Sequence, residues 1–408
     1  MADTAPVIRG GSGPTVPIPP HVDSALVVDF DYHSPPGLAE HGDVYRAWKT
    51  LHDGPDIVWT PRHGGHWIVT RGDDIQWVQE TYQIFSHKEF SIPRGFTPHL
   101  PPITLDPPEN IPYRAVINPI FAKRRIEEHY VPKIRELTVA LVEELKPKGG
   151  CDFLAEFATV MPVSIFLGIA DLPVERREEF IGWARGFANP DTREVNDRKM
   201  SSFLGEQIKR KEAEPADDLL GRIAAWRDNP RFRGEEEQIA MAKLLFSGGL
   251  DTVATQFAFS MLYLARNPDL QDRIRQNSDI IPAAVEELLR RHGLSNTGRI
   301  VVEEVERKGA RFRPDDMVMV PICLSSMDDR LYENPLEVDF DRPPSPHNTF
   351  GNGPHRCVGA PLARMEFRIF LEEWISRMPN VRLDPAVTPM THAGGINGVS
   401  RLQLVWDA

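Results

Sequence analysis

The chain has 408 residues, 41% of them hydrophobic and 26% charged, with a formal net charge of −12. That length and apolar content suffice for a large buried core, and the acidic balance argues against nucleic acid as the main partner, because a phosphate backbone is bound through a basic surface. Three widely spaced cysteines, Cys151, Cys323 and Cys357, form neither a disulfide framework nor a zinc cluster, which points to a reducing cytoplasm.

Met1 to Pro20 is polar and rich in Gly and Pro, with no apolar core. Residues 1–22 are expected to be a disordered tail and not a signal peptide. No run approaches the ~18 consecutive apolar residues of a membrane helix, so a cytoplasmic protein is expected. Residues 23–408 show no linker or repeat and read as one domain.

Ile57–Thr60 and His66–Thr70, joined by a turn through Gly64 and Gly65, read as a β-hairpin. Asp73 to Phe85 reads as a short helix. Ser91 to Pro108 carries six prolines and reads as a long loop, a type that is often functional in compact proteins. Asn110–Ala122 and Ile126–Lys146 read as helices, the second with Ile134, Leu137, Leu141 and Leu145 at helical spacing. Lys123-Arg124-Arg125 and Arg290-Arg291-His292 are local basic clusters, each open to two readings, a local anion-binding patch or a solvated helix face. Residues 151–213 continue mostly helical.

The longest helix is expected over Glu235–Arg266, ended by Asn267-Pro268. It contains Leu244 to Thr252, with adjacent glycines at 248 and 249 that cost roughly 1 kcal/mol each against alanine in mid-helix. The pair gains sense where a flat ligand must approach the backbone. Leu244, Gly248, Thr252 and Thr255 share a face. Thr252 can bond back to the Gly248 carbonyl and loosen the helix. The result is a groove bearing a hydroxyl that can hold dioxygen and water, with Asp251 beside it to relay protons. A kinked core helix with an exposed Asp is the plainer alternative for these residues alone.

Asp279 is expected to cap the next helix, with Pro282 in its first turn. There Glu287 and Arg290 stand at i, i+3, the spacing of an ordinary ion pair. Short strands follow near 300–325 and again at Leu402–Trp406. The whole reads as mainly α with minor β.

The last motif is Phe350-Gly351-x-Gly353-x-His355-x-Cys357-x-Gly359, ahead of a final helix over Leu362–Arg377. A lone cysteine in such a turn is ordinarily structural. Here the glycines let backbone N–H groups approach the sulfur, the helix start favours an anion, and Phe350 can cover the thiolate. One thiolate from one loop fits a single axial bond to haem iron, where it favours O–O cleavage.

At every position this motif matches the haem-binding loop of the cytochrome P450 superfamily, which the chain resembles. Gly248-Gly249-x-Asp251-Thr252 resembles that family's oxygen-binding helix. Within the family, the chain is similar over almost its whole length to the bacterial class I group of the camphor hydroxylases. The stretches Pro19-Pro20-His21-Val22, Gly64-Gly65-His66-Trp67-Ile68, Ile92-Pro93-Arg94 and Asp106-Pro107-Pro108-Glu109 all fit that group.

The resemblance implies the triangular, mainly helical P450 fold, with the haem between the oxygen-binding helix and the helix after the cysteine loop. It implies heme b with Cys357 as the metal ligand, and Asp251 and Thr252 as catalytic residues. Phe350, Gly351 and Gly248 would border the haem, and Arg114, Arg299 and His355 would clamp its propionates. A buried structural set of Glu287, Arg290 and Arg342 is implied behind it. Phe96, Leu100, Ile103, Leu244, Ser247, Gly248, Leu294 and Ile396 would line the substrate pocket.

It also implies a monomer that takes two electrons from NAD(P)H through a ferredoxin reductase and a [2Fe–2S] ferredoxin. The ferredoxin would dock near Arg71, Arg114, Arg356 and Arg364. The group's ketone-binding tyrosine is missing, since no Tyr lies between Gln83 and Pro112. His99 stands in that loop instead, and Ser247 and Thr297 replace an aliphatic residue and an Asp. Hydroxylation of a monoterpenoid or norisoprenoid ketone other than camphor is expected. The alternatives are a haem-thiolate sensor without turnover, or a redox-independent haem isomerase or dehydratase.

Overall fold

The structure, a computed structural model, describes residues 14–188, 191–230 and 233–407. In chain order the main elements are β1 (Ile57–Thr60), β2 (His66–Val69), α1 (Gly72–Glu80), β3 (Phe85–Ser86), α2 (Val131–Leu145), α3 (Val160–Ile169), α4 (Arg177–Ala188) and α5 (Arg193–Ala213). Then come α6 (Glu235–Leu250), α7 (Thr252–Arg266), α8 (Ile281–Arg291), β4 (Asn296–Val301), β5 (Met317–Pro321) and α9 (Ala360–Arg377), with shorter turns and strands between. The contacts group into two compact units. The first runs to Pro98 and takes in Glu286–Cys357 and Thr388–Arg401. The second comprises His99–Val285, Val358–Val387 and the segment from Leu402.

The first unit is built on a five-stranded sheet in the order β1-β2-β5-β4-β3. β1 and β2 form the expected hairpin, with Trp59 opposite Trp67. β2 pairs in parallel with β5, and β4 pairs antiparallel with it, placing Arg299 opposite Val318. Trp67 and Phe85 both pack on the Phe312 ring, tilted at 5.2 Å and edge to face at 5.6 Å between centroids. The N–H of Gly72 opens α1 by donating to Asp328 Oδ2 at 2.8 Å. Of the expected disordered tail, residues 1–13 lie outside the described residues. Residues 14–22 are anchored: Val16 N–H donates to the Pro61 carbonyl, and Val22 is buried.

The second unit is helical. Phe153, Phe157, Phe257, Phe370 and Trp374 form its aromatic core, with Phe257 and Phe370 stacked at 4.7 Å. A second cluster, Phe180, Phe203 and Phe246, joins α4, α5 and α6.

Several boundaries differ from the sequence reading, each for a local reason. Proline explains two of them. The helix read from Asn110 to Ala122 stops at Ile117 and tightens into a turn over Asn118–Phe121, where Pro119 cannot donate. Residues 126–130 form a wide turn before α2, and Pro132 has no N–H for the carbonyl four residues back. Asn277, not Asp279, supplies the cap ahead of α8: its Oδ1 accepts from the Asp279 N–H at 3.1 Å. The short helix ends at Glu80, and Phe85 belongs to a strand. The longest expected helix is two helices that meet at Asp251.

Candidate active site

The cysteine loop belongs to the first unit and is tied down along its length. Gly351 and Gly353 adopt φ of +69° and +65°, a region where a side chain is strained. Gly353 also has no room for one, since a Cβ there would meet the Gln79 carbonyl oxygen at 2.8 Å. Asn352 donates to Gln79 Oε1 at 2.8 Å, Asn348 to Ser325 Oγ at 2.7 Å, and Thr349 Oγ1 to the Leu289 carbonyl at 2.9 Å. The Cys357 N–H closes the loop on the Phe350 carbonyl at 2.8 Å. Of the three thiols, Cys357 alone is exposed. Burial, reinforced by Glu156 and Asp152, pushes the Cys151 thiol up to about 12, and burial pushes Cys323 far above its ordinary value. Only Cys357 is placed to serve as a metal-binding thiolate.

In the second unit α6 ends at Leu250. Asp251 leaves the helical path at φ −125°, ψ −27°, and α7 begins at Thr252. The Thr252 hydroxyl donates to the Gly248 carbonyl at 3.1 Å, the back-bond the sequence predicts. The half-exposed Asp251 carboxylate lies 3.5 Å from Arg185 Nη2 on α4.

The two adjacent glycines have different causes. A Cβ at Gly248 would meet nothing within 4 Å, so the backbone there is open to a ligand. A Cβ at Gly249 would strike the Phe166 ring at 2.5 Å. Gly249 therefore serves the packing of α6 against α3, which corrects the expectation that both glycines make way for a flat ligand.

Behind the cysteine loop, Arg290 grips Glu287 with two hydrogen bonds, Nε to Oε2 at 2.7 Å and Nη2 to Oε1 at 2.9 Å. Arg342 Nε adds a third at 3.0 Å. Arg290 further donates to the carbonyls of Ser326, Pro335 and Glu337. Glu287 and Arg290 are buried.

Comparison with known proteins settles the family. The profile described as Cytochrome P450 matches residues 207–389. Cytochrome P450 127A1 of Sinorhizobium fredii is 34% identical over 404 residues, covering 96% of this chain and 97% of its own. The chain belongs to the cytochrome P450 family. Two solved P450 structures superpose over 96% of this chain and all of theirs: CYP101C1 at 37% identity and TM-score 0.88, and CYP101J2 at 30% and 0.89. The fold is thus the mainly helical P450 fold, the cofactor heme b, and the protein a monooxygenase-class oxidoreductase.

The residues present fit that cofactor. Cys357 is an exposed thiol on a braced loop, and Gly248 is open beside the Thr252 hydroxyl. Arg299 on β4 is buried, its guanidinium aimed by bonds from Nη1 to the Gly298 carbonyl at 2.7 Å and to Thr297 Oγ1 at 3.2 Å. Thr297, noted in the sequence as a replacement for Asp, thus orients this P450's arginine. His355 stacks on the His87 ring at 4.4 Å in the first unit. Arg114 is half-buried on the short helix after Asn110.

The expected pocket residues are unequal. Leu100 and Leu294 are buried, Ile103 and Leu244 half-buried, and Phe96 and Ile396 exposed. The Ser247 hydroxyl is shut off from solvent without a hydrogen-bond partner.

Two expectations are corrected. Arg71 is no docking residue: it is buried, with Asp328 at 3.1 Å and Asp329 at 2.9 Å from Nη1, and Nη2 donates to the His52 carbonyl. Arg290-Arg291-His292 is buried too, not a solvated face. His99 faces solvent, its side chain 59% exposed, with Glu237 Oε1 3.8 Å from its Nε2. Sequence reading also missed Gln79, the loop's anchor, and Arg185. Only the asparagines flanking the glycine motif hinted at such an anchor.

No helix among the described residues is long and apolar enough to cross a membrane.

Proposed function

We propose that this P450 hydroxylates a small apolar terpenoid-like ketone, of the monoterpenoid or norisoprenoid class, using electrons from NAD(P)H relayed by a ferredoxin reductase and a [2Fe–2S] ferredoxin. When bound, the haem supplies dioxygen activation, so that one oxygen atom enters the substrate C–H bond and the other leaves as water with two electrons and two protons. Cys357 holds the iron through its sulfur, and its loop keeps that sulfur fixed. Arg299, Arg114 and His355 answer the propionates, for which a guanidinium fork is suited.

The exposed Asp251 carboxylate takes protons from solvent and passes them inward, and Arg185 competes for it. Thr252 donates its hydroxyl hydrogen to Gly248, so its oxygen lone pairs are turned to accept from a water that carries the proton. The observation that carries the reading is the helix break at Asp251, with the Thr252 hydroxyl tied back to Gly248. Phe96, Leu100, Ile103, Leu244, Leu294 and Ile396 bring no charge to the substrate, which supports an apolar one.

Reconstitution with a ferredoxin and its reductase tests this, reading product per NADH across terpenoid ketones. A spin-state shift and coupled product with at least one such ketone are expected. Thr252→Ala should keep haem and ketone binding while diverting electrons to peroxide. Product formed without reductant, or unchanged product per NADH in Thr252→Ala, would overturn the reading.

A further inference from the structure

We propose that His99 and Glu237 form a releasable strap that holds the segment following His99 onto the first turn of α6. The Glu237 side chain is 7% exposed, and its Oε2 is closed to solvent without a hydrogen-bond partner. A carboxylate so placed is costly unless a donor or a charge answers it. The neighbouring groups are committed elsewhere. Glu235 on α6 pairs with Lys209 of α5 at 3.5 Å, Glu212 of α5 pairs with Arg227 at 2.8 Å, and the Gln238 amide donates to the carbonyls of Ile223 and Ala224. His99 Nε2, at 3.8 Å from Glu237 Oε1, is the one ion-pair partner of Glu237 among the described residues.

That separation is an ion-pair contact too long for a hydrogen bond, and the His99 side chain is 59% exposed. The segment can therefore close onto the carboxylate or leave it with little displacement. It is built to move as one piece. Ile103 and Thr104 N–H groups donate to the Leu100 carbonyl at 2.9 and 3.2 Å, and the Leu100 N–H donates to Thr104 Oγ1 at 3.0 Å. Closed, the imidazole in its protonated form offsets the buried carboxylate; released, water does so. The turn carries Leu100 and Ile103, so the strap also decides when they stand at the substrate. That consequence rests on the proposed function, whereas the strap itself does not.

Amide hydrogen exchange at Ile103 and Thr104 in the haem-loaded protein separates the two. His99→Ala and Glu237→Gln should each speed exchange there roughly three- to tenfold, the range of a partly buried ion pair, with the double variant no faster than the faster single one. Exchange unchanged in either single variant, or effects that multiply in the double one, would overturn the proposal. Should Glu237→Gln fail to fold, His99→Lys remains: a permanent cation at 99 should slow the same amides, and equal or faster exchange refutes the strap. None of these readouts depends on the substrate or on turnover.

Discussion

Two buried glutamates meet the same problem in opposite ways. Glu287, in the first unit, is surrounded by donors: Arg290 twice, Arg342 once, and the Asp339 N–H at 3.0 Å. Glu366, on α9 in the second unit, is 2% exposed and has no ion-pair partner among the described residues. Burial alone pushes its carboxyl up to about 8. One site answers a buried carboxylate with fixed positive charge, the other with a proton. The first solution ties distant segments together, because each guanidinium also gathers backbone carbonyls. The second ties nothing and leaves stability dependent on pH.

Removing the carboxylate from the charged site should have the largest effect. Glu287→Ala leaves the buried Arg290 and the nearly buried Arg342 facing each other without an anion. A loss of about 3–5 kcal/mol in denaturant stability is expected, with haem released more readily. A loss below about 1 kcal/mol would show that the backbone carbonyls around Arg290 suffice, and the contrast with Glu366 would fail.

At the protonated site the sign is opposite and pH sets the size. Between the ordinary carboxyl value of 4.5 and about 8, folded Glu366 keeps a proton that the unfolded chain has lost. Rising pH therefore costs stability across that window, by up to ~1.4 kcal/mol per unit. Glu366→Gln removes the dependence. Wild type and variant should unfold alike at pH 5, and the variant should be more stable by on the order of 3–4 kcal/mol at pH 8. Parallel pH profiles would mean that Glu366 finds a charge partner.

The contrast also marks what a sequence shows. Glu287 and Arg290 were legible because their i, i+3 spacing is local and the set matches a family pattern. Glu366 carries no such mark: in Arg364-Met365-Glu366-Phe367 it looks like any helix carboxylate, and only packing buries it. The cysteine loop was legible for the same reason as Glu287, since glycines at positive φ, the Asn residues and the cysteine lie within ten positions of one another.

Where long-range contacts decide, the reading failed. Arg71 looked like surface until Asp328 and Asp329, far along the chain, enclosed it. Gly249 looked like part of a ligand groove, but its neighbour is Phe166. The break at Asp251 left the hydrophobic periodicity of Glu235–Arg266 unchanged, because a hydroxyl bonded to a carbonyl alters no apolar position. The fold class and the build of the cysteine loop were thus readable, and the anchors around them were not.

Arg342 offers the finest test of the comparison. Its side chain is 11% exposed, and it gives Glu287 a single hydrogen bond while Nη1 donates to the Glu333 carbonyl at 2.8 Å. Arg342→Ala leaves both Arg290 bonds and the Asp339 N–H on the carboxylate. The expected cost is about 1–2 kcal/mol, the scale of one charged hydrogen bond with partial burial. More telling is the shape of the pH profile. If Arg290 by itself keeps this site of the charged kind, the variant's stability should show no new decline between pH 5 and pH 8. A decline like that expected from Glu366 would mean that two guanidiniums are needed to hold a buried carboxylate without a proton, and the boundary between the two solutions would lie at a single arginine.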